Sequence, residues 1–193
     1  MKKKIAQIIS FAGHPLLTIP LYVLFVMFSL EEIKKAFFNS ALIIGCFFIP
    51  LILRLYLKSR NGSYTNFDVS DRKQRKSIFF FIIPLLSVVT ATVFITGQSR
   101  NLCLSLLFAL VLVVISQLVN LFIKSSMHVS FHLYLSFLVM TLNYRVGVIV
   151  LLIGVPIAWS RMVLGRHTLK EVVFGGVIGL TVGLCMFYAE GYL

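Results

Sequence analysis

Acidic side chains are scarce in this chain: six Asp and Glu, against 18 Lys and Arg, in 193 residues. Charged residues make up 12% of it, where soluble domains carry about 25%. Hydrophobic residues reach 59% and mean hydropathy is +0.99. That balance excludes an ordinary soluble domain. It reads as one integral-membrane domain over residues 1–193. A formal net charge of +12 would direct a soluble protein toward nucleic acid. Here the cations gather at the ends of apolar runs, as membrane proteins place them, so no nucleic-acid partner is expected. Cysteines are few as well. Cys46, Cys103 and Cys185 each lie inside an apolar run, with no CxxC or Cys/His spacing. They read as small buried residues, not as disulfides or metal ligands. Period-two alternation is missing, which argues against strands. Internal repeats and low-complexity tracts are missing too. No A-x-A-like site follows Met1–Lys4, and His14 and Pro15 interrupt the first apolar run. A retained first span is therefore expected in place of a removed signal peptide.

What the chain does contain is long apolar runs. A helix needs about 20 such residues to cross the hydrocarbon core. Spans are predicted near 15–30, 36–57, 77–97, 102–123, 128–142, 145–160 and 171–190. The fold class is an all-α, polytopic transmembrane bundle of six to seven spans. The longest polar stretch is KSRNGSYTNFDVSDRKQRK, 58–76, with a turn at Asn61-Gly62 and a helix start at an Asp or Ser cap. Gly175, Gly179 and Gly183, four apart, predict a helix-packing stripe. Pro20, Pro50, Pro84 and Pro156 are expected to kink their spans. Seven crossings put the amino terminus, 58–76, 124–127 and 160–170 on one membrane face. Fourteen of the 18 Lys and Arg fall on that face. The positive-inside rule makes it cytoplasmic, in an integral cell-membrane protein of the bacterial inner-membrane kind.

Two clusters carry chemistry. In WSRMVLGRHTLKE, His167 and Glu171 are four apart and would share a helix face. A carboxylate beside an imidazole fixes its tautomer and strengthens it as a nucleophile or base. Arg161 suits a bidentate grip on phosphate oxygens, or snorkels at the interface. Gly165 opens a tight turn before His167. In KSSMHVSFH, 124–132, Ser125 and Ser126 precede His128 at a helix start, where N–H groups and the dipole favour an anion. His128 could protonate a leaving oxygen. His132 reads as a hydrogen-bonded core histidine.

These clusters resemble signatures of the type 2 phosphatidate phosphatase superfamily, which includes the vanadium haloperoxidases. Its third signature is Ser-Arg, five residues, His, three residues, Asp. Ser160-Arg161, His167 and Glu171 keep that spacing, with Glu for Asp. Its second, Pro-Ser-Gly-His, is similar to Ser125-Ser126-Met127-His128. Its first, Lys, six residues, Arg-Pro, is not found. The nearest segment, 68–76, puts Arg75 at the arginine, Asp68 at the lysine and Lys76 at the proline. The resemblance implies a phosphatase-like core over about 60–193 that hydrolyses a lipid phosphate or diphosphate within the bilayer. His167 would be the nucleophile, Glu171 its orienting carboxylate and His128 the general acid. Arg161, Ser126 and the Met127 N–H would hold the phosphate. Arg72, Arg75 and Lys76, on one helix face, would supply the missing cations. No metal or other cofactor is implied. Two other readings stand beside this one. Asp68 and Asp71 form a DxxD pair that would hold magnesium diphosphate in an intramembrane prenyltransferase. A non-catalytic protein of the same fold would bind lipid phosphate without hydrolysis.

Overall fold

The computed structural model describes every residue except Asn66, Phe67, Ser70 and Leu193. The protein is 83% helical, and the described residues form no strand, so the apolar runs fold as helices throughout. In chain order these are α1 (Lys2–Ala12), α2 (Pro15–Leu30), α3 (Ile33–Ser40), a π-helical stretch (Ala41–Phe48), α4 (Ile49–Arg60), α5 (Arg72–Ile95), α6 (Arg100–Asn120), α7 (Met127–Leu142), α8 (Tyr144–Val163) and α9 (Leu169–Ala189).

Among the described residues, five helical segments are long and apolar enough to cross a membrane: Ile33–Arg60, α5, α6, α8 and α9. Helices α1 and α2 make a sixth if they are taken as one broken span. Helix α7 is a shorter apolar helix. The outward faces of these helices are greasy. Ile149, Leu152 and Val155 of α8 and Val173, Val177 and Leu184 of α9 are all exposed, which is consistent with a membrane protein. The same physics corrects the expectation for cysteine. Cys103 is buried, but Cys46 and Cys185 are exposed. On an apolar helix a small apolar residue sits as well on the outer face as in the core. All three thiols are free.

The chain divides into two compact units. The first combines Met1–Pro15 with Arg100–Leu193, and the second is Leu16–Ser99. Helix α7 is the centre of the first unit, packed on α8 and α9. Its 16 residues rise only about 24 Å, short of the hydrocarbon thickness. Eleven of the 16 are buried, so neighbouring helices surround most of it and lipid thickness need not set its length. Helix α1 packs on α8, and α6 on α9. Ile9 of α1 joins a core of Val129, Leu133, Ile157 and Val172.

The glycine stripe on α9 lets α7 approach closely. A Cβ at Gly175 would lie 2.6 Å from Ser126 O. One at Gly179 would strike the backbone of Ser130, and one at Gly183 the ring of Phe137. Ser130 Oγ, shared between Ser126 O at 3.0 Å and Gly175 O at 2.9 Å, ties the two helices. Gly175→Ala should therefore destabilise the protein by about 1–3 kcal/mol, as overpacking does. Gly176→Ala, whose Cβ would meet only Leu133 and Val129 side chains at 3.8 and 4.0 Å, should be near neutral. Thermal unfolding of the two variants in nanodiscs checks the difference.

In the second unit, Pro50 lies just after the π-helical stretch, inside the continuous helical segment Ile33–Arg60, where it removes one hydrogen bond of the ladder. Asn61 ends α4 and Gly62 follows at φ +69°, making the predicted turn. Asp71 caps α5 by accepting the Gln74 N–H at 2.9 Å. The alternative cap, Ser70, lies outside the described residues. Arg54 donates to Ser77 Oγ at 3.2 Å and stacks 4.5 Å over the Phe81 ring, while Tyr64 Oη bonds the same hydroxyl at 3.2 Å.

Candidate active site

The site in the first unit begins at the end of α8. Gly165 at φ +64° reverses the chain there. The N–H groups of Arg166 and His167 both donate to Arg161 O, at 3.0 and 3.3 Å. This turn delivers His167 just ahead of α9, whose N-cap is Thr168. His167 and Glu171 thus do not meet on a helix face, as their spacing predicts. They meet across a capping box. Thr168 Oγ1 accepts the Glu171 N–H at 3.4 Å, and Glu171 Oε2 accepts the Thr168 N–H at 3.1 Å. A threonine before the apolar run is a stronger helix start than a histidine, so the helix begins after His167.

The same Oε2 lies 2.9 Å from His167 Nδ1. A carboxylate oxygen only accepts, so the shared proton sits on Nδ1, and in the neutral ring Nε2 carries the lone pair. Lys124 Nζ stands 3.5 Å from this oxygen and donates to Arg166 O at 2.9 Å. Three donors converge on one oxygen. The long arm of Glu171 serves the helix start and the imidazole together. The His167 side chain is 1% exposed.

The second cluster meets the first through the backbone. The Ser126 N–H donates to Glu171 O at 3.0 Å. Ser126 stands at the N-cap of α7 but makes no side-chain cap bond. Its Oγ is buried with no hydrogen-bond partner among the described residues. Met127 and His128 form the first turn of α7. The His128 ring meets the His14 ring edge-on, with centroids 4.6 Å apart. Arg161 is 2% exposed, and its Nη1 donates to Ser10 Oγ at 2.5 Å. His132 is the predicted core histidine, with Nε2 2.8 Å from Val150 O.

Arg161, His167, Glu171, Ser126, Met127 and His128 all lie in the first unit, where the Ser126–Glu171 backbone bond joins the two clusters. Arg72, Arg75 and Lys76 belong to the start of α5 in the second unit. There Arg75 is buried and its Nε donates to Val69 O at 3.0 Å, and Lys76 lies 6.0 Å from the Phe80 ring centre. Asp71 is engaged as a helix cap.

Two residues and one contact of this constellation escape the sequence reading: Ser10, His14 and the contact of Lys124 with Glu171. For Ser10 there is a legible signal. Ala6, Ser10 and Gly13, spaced by four and three, put small residues on one helix face, and such a stripe marks close helix packing. No family model matches this chain, and neither a curated protein nor a solved structure matches it.

Proposed function

We propose that this protein is a membrane phosphatase that hydrolyses a lipid phosphate or lipid diphosphate through a phosphohistidine. The observation that carries the reading is the clasp of His167 Nδ1 by Glu171 Oε2 at 2.9 Å, with Glu171 itself held at its backbone by Ser126. It links the two segments that resemble phosphatase signatures. Support also comes from burial. Ser126 Oγ is a buried hydroxyl whose desolvation costs about 1–3 kcal/mol until a ligand oxygen meets it. Arg161 is a buried guanidinium, and phosphate oxygens are the partners that match its fork.

In this reading Nε2 of His167 attacks phosphorus and the bond to the lipid oxygen breaks. His128 gives that oxygen its proton. Water then attacks the phosphohistidine, His128 takes the water's proton, and orthophosphate leaves. Arg161 and Ser126 hold the phosphate oxygens, and the first N–H groups of α7 stabilise the charge that develops on the transferring group. The excess of Lys and Arg on one side of the predicted crossings supports a cytoplasmic face for this chemistry.

The test is phosphate release from phosphatidate, phosphatidylglycerophosphate, polyprenyl diphosphate and a lipid A-like phosphate. Release from at least one, unaffected by EDTA and inhibited by vanadate, is expected. Strict magnesium dependence abolished by Asp71→Asn would favour the prenyltransferase chemistry instead. Binding of the lipids without release would favour a non-catalytic protein.

A further inference from the structure

Helix α1 does more than pack. Its inward face carries Ala6, Ser10 and Gly13, and small residues there are enough to let α1 approach α8. Alanine or glycine would meet that need at position 10 as well as serine does. Instead a hydroxyl stands there, buried, accepting from Nη1 of an arginine 151 residues away. One turn on, where α1 ends, the His14 N–H bonds Phe11 O and its ring lies against the His128 ring at an interplanar angle of 79°. The two contacts of α1 thus fall on two different members of the proposed machinery.

We propose that α1 is a working part of the site, with Ser10 and His14 as positioning residues. Ser10 fixes the plane of the Arg161 guanidinium, and His14 fixes the ring of His128. The inference rests on the phosphatase reading for the roles of Arg161 and His128. Ser10 acts on phosphate affinity, because Arg161 meets the phosphate in the ground state and the transition state alike. His14 acts on turnover, because a general acid matters only as the leaving oxygen gains charge.

The experiment uses the full chain in nanodiscs, with a lipid phosphate and with p-nitrophenyl phosphate, whose leaving group needs no proton. Ser10→Ala should raise KM and the vanadate inhibition constant about tenfold with kcat little changed, since one hydrogen bond to a charged group is at stake. His14→Ala should lower kcat about tenfold on the lipid and leave KM and p-nitrophenyl phosphate turnover unchanged. His14→Phe, which keeps an edge-on ring, should restore much of the loss. Equal loss on both substrates by both variants, tracking a lowered melting temperature, would reduce α1 to packing and overturn the proposal. So would no change in either. If the wild type hydrolyses nothing, the phosphatase reading fails, and ring ¹⁵N shifts decide the contact separately. With four histidines the spectrum is assignable. His128 should move in His14→Ala and return in His14→Phe, and a His128 signal indifferent to both would overturn the proposal.

Discussion

Changing His167 to alanine should cut phosphate release by more than about a thousandfold, because it removes the nucleophile and leaves only binding and charge stabilisation. The side chain is nearly enclosed, so truncation opens a cavity as well. His167→Gln keeps most of the volume and an amide that can still donate to Glu171, yet has no nucleophilic nitrogen. Both variants should therefore be inactive, while the glutamine variant melts close to the wild type. Measuring turnover and melting on the pair separates lost chemistry from lost structure. Substantial turnover by either would remove His167 from the reaction.

Glu171→Gln should lose about a hundredfold to ten-thousandfold in turnover. Glutamine still completes the capping box, since its carbonyl accepts the Thr168 N–H. The same carbonyl oxygen still accepts the His167 Nδ1–H, but without the negative charge that strengthens the ring as a nucleophile. Stability should hold while activity falls. Glu171→Ala removes the cap too, and should lower stability by about 1 kcal/mol besides. Glu171→Asp restores the residue of the phosphatase signature but shortens the arm by one methylene. It should fall between the wild type and the glutamine variant, because an aspartate at this third helical position reaches either Thr168 or His167 less well. Turnover and melting temperature of the three variants, measured together, check the series.

The helices were legible because each apolar run is long and uniformly greasy. The predicted spans 77–97, 102–123 and 171–190 correspond to Arg72–Ile95, Arg100–Asn120 and Leu169–Ala189. Helix α1 was not legible as a separate element. Its three lysines read as a charged terminus, and nothing local shows that Ser10 lies against Arg161. The burial of Arg161 was hidden for the same reason. An arginine at a helix end reads equally well as snorkelling into the interface, and only a partner far away in the chain decides it. The spacing of His167 and Glu171 revealed their contact but not its geometry, since a spacing of four fits a capping box as readily as a helix face. The basic segment 72–76 reads as a helix face of cations. Charge does not reveal that Arg75 engages Val69 O in its own unit.

The central claim is a covalent phosphoryl group on His167, and the measurement that meets it most directly is a rapid quench of turnover. The full chain in nanodiscs would be mixed with a ³²P-labelled lipid phosphate and EDTA, quenched in base, and its peptides mapped. The expected result is a base-stable, acid-labile phosphoryl adduct on the peptide carrying His167, absent from His167→Gln. Phosphate release with no adduct at His167, at a rate His167→Gln leaves unchanged, would contradict it.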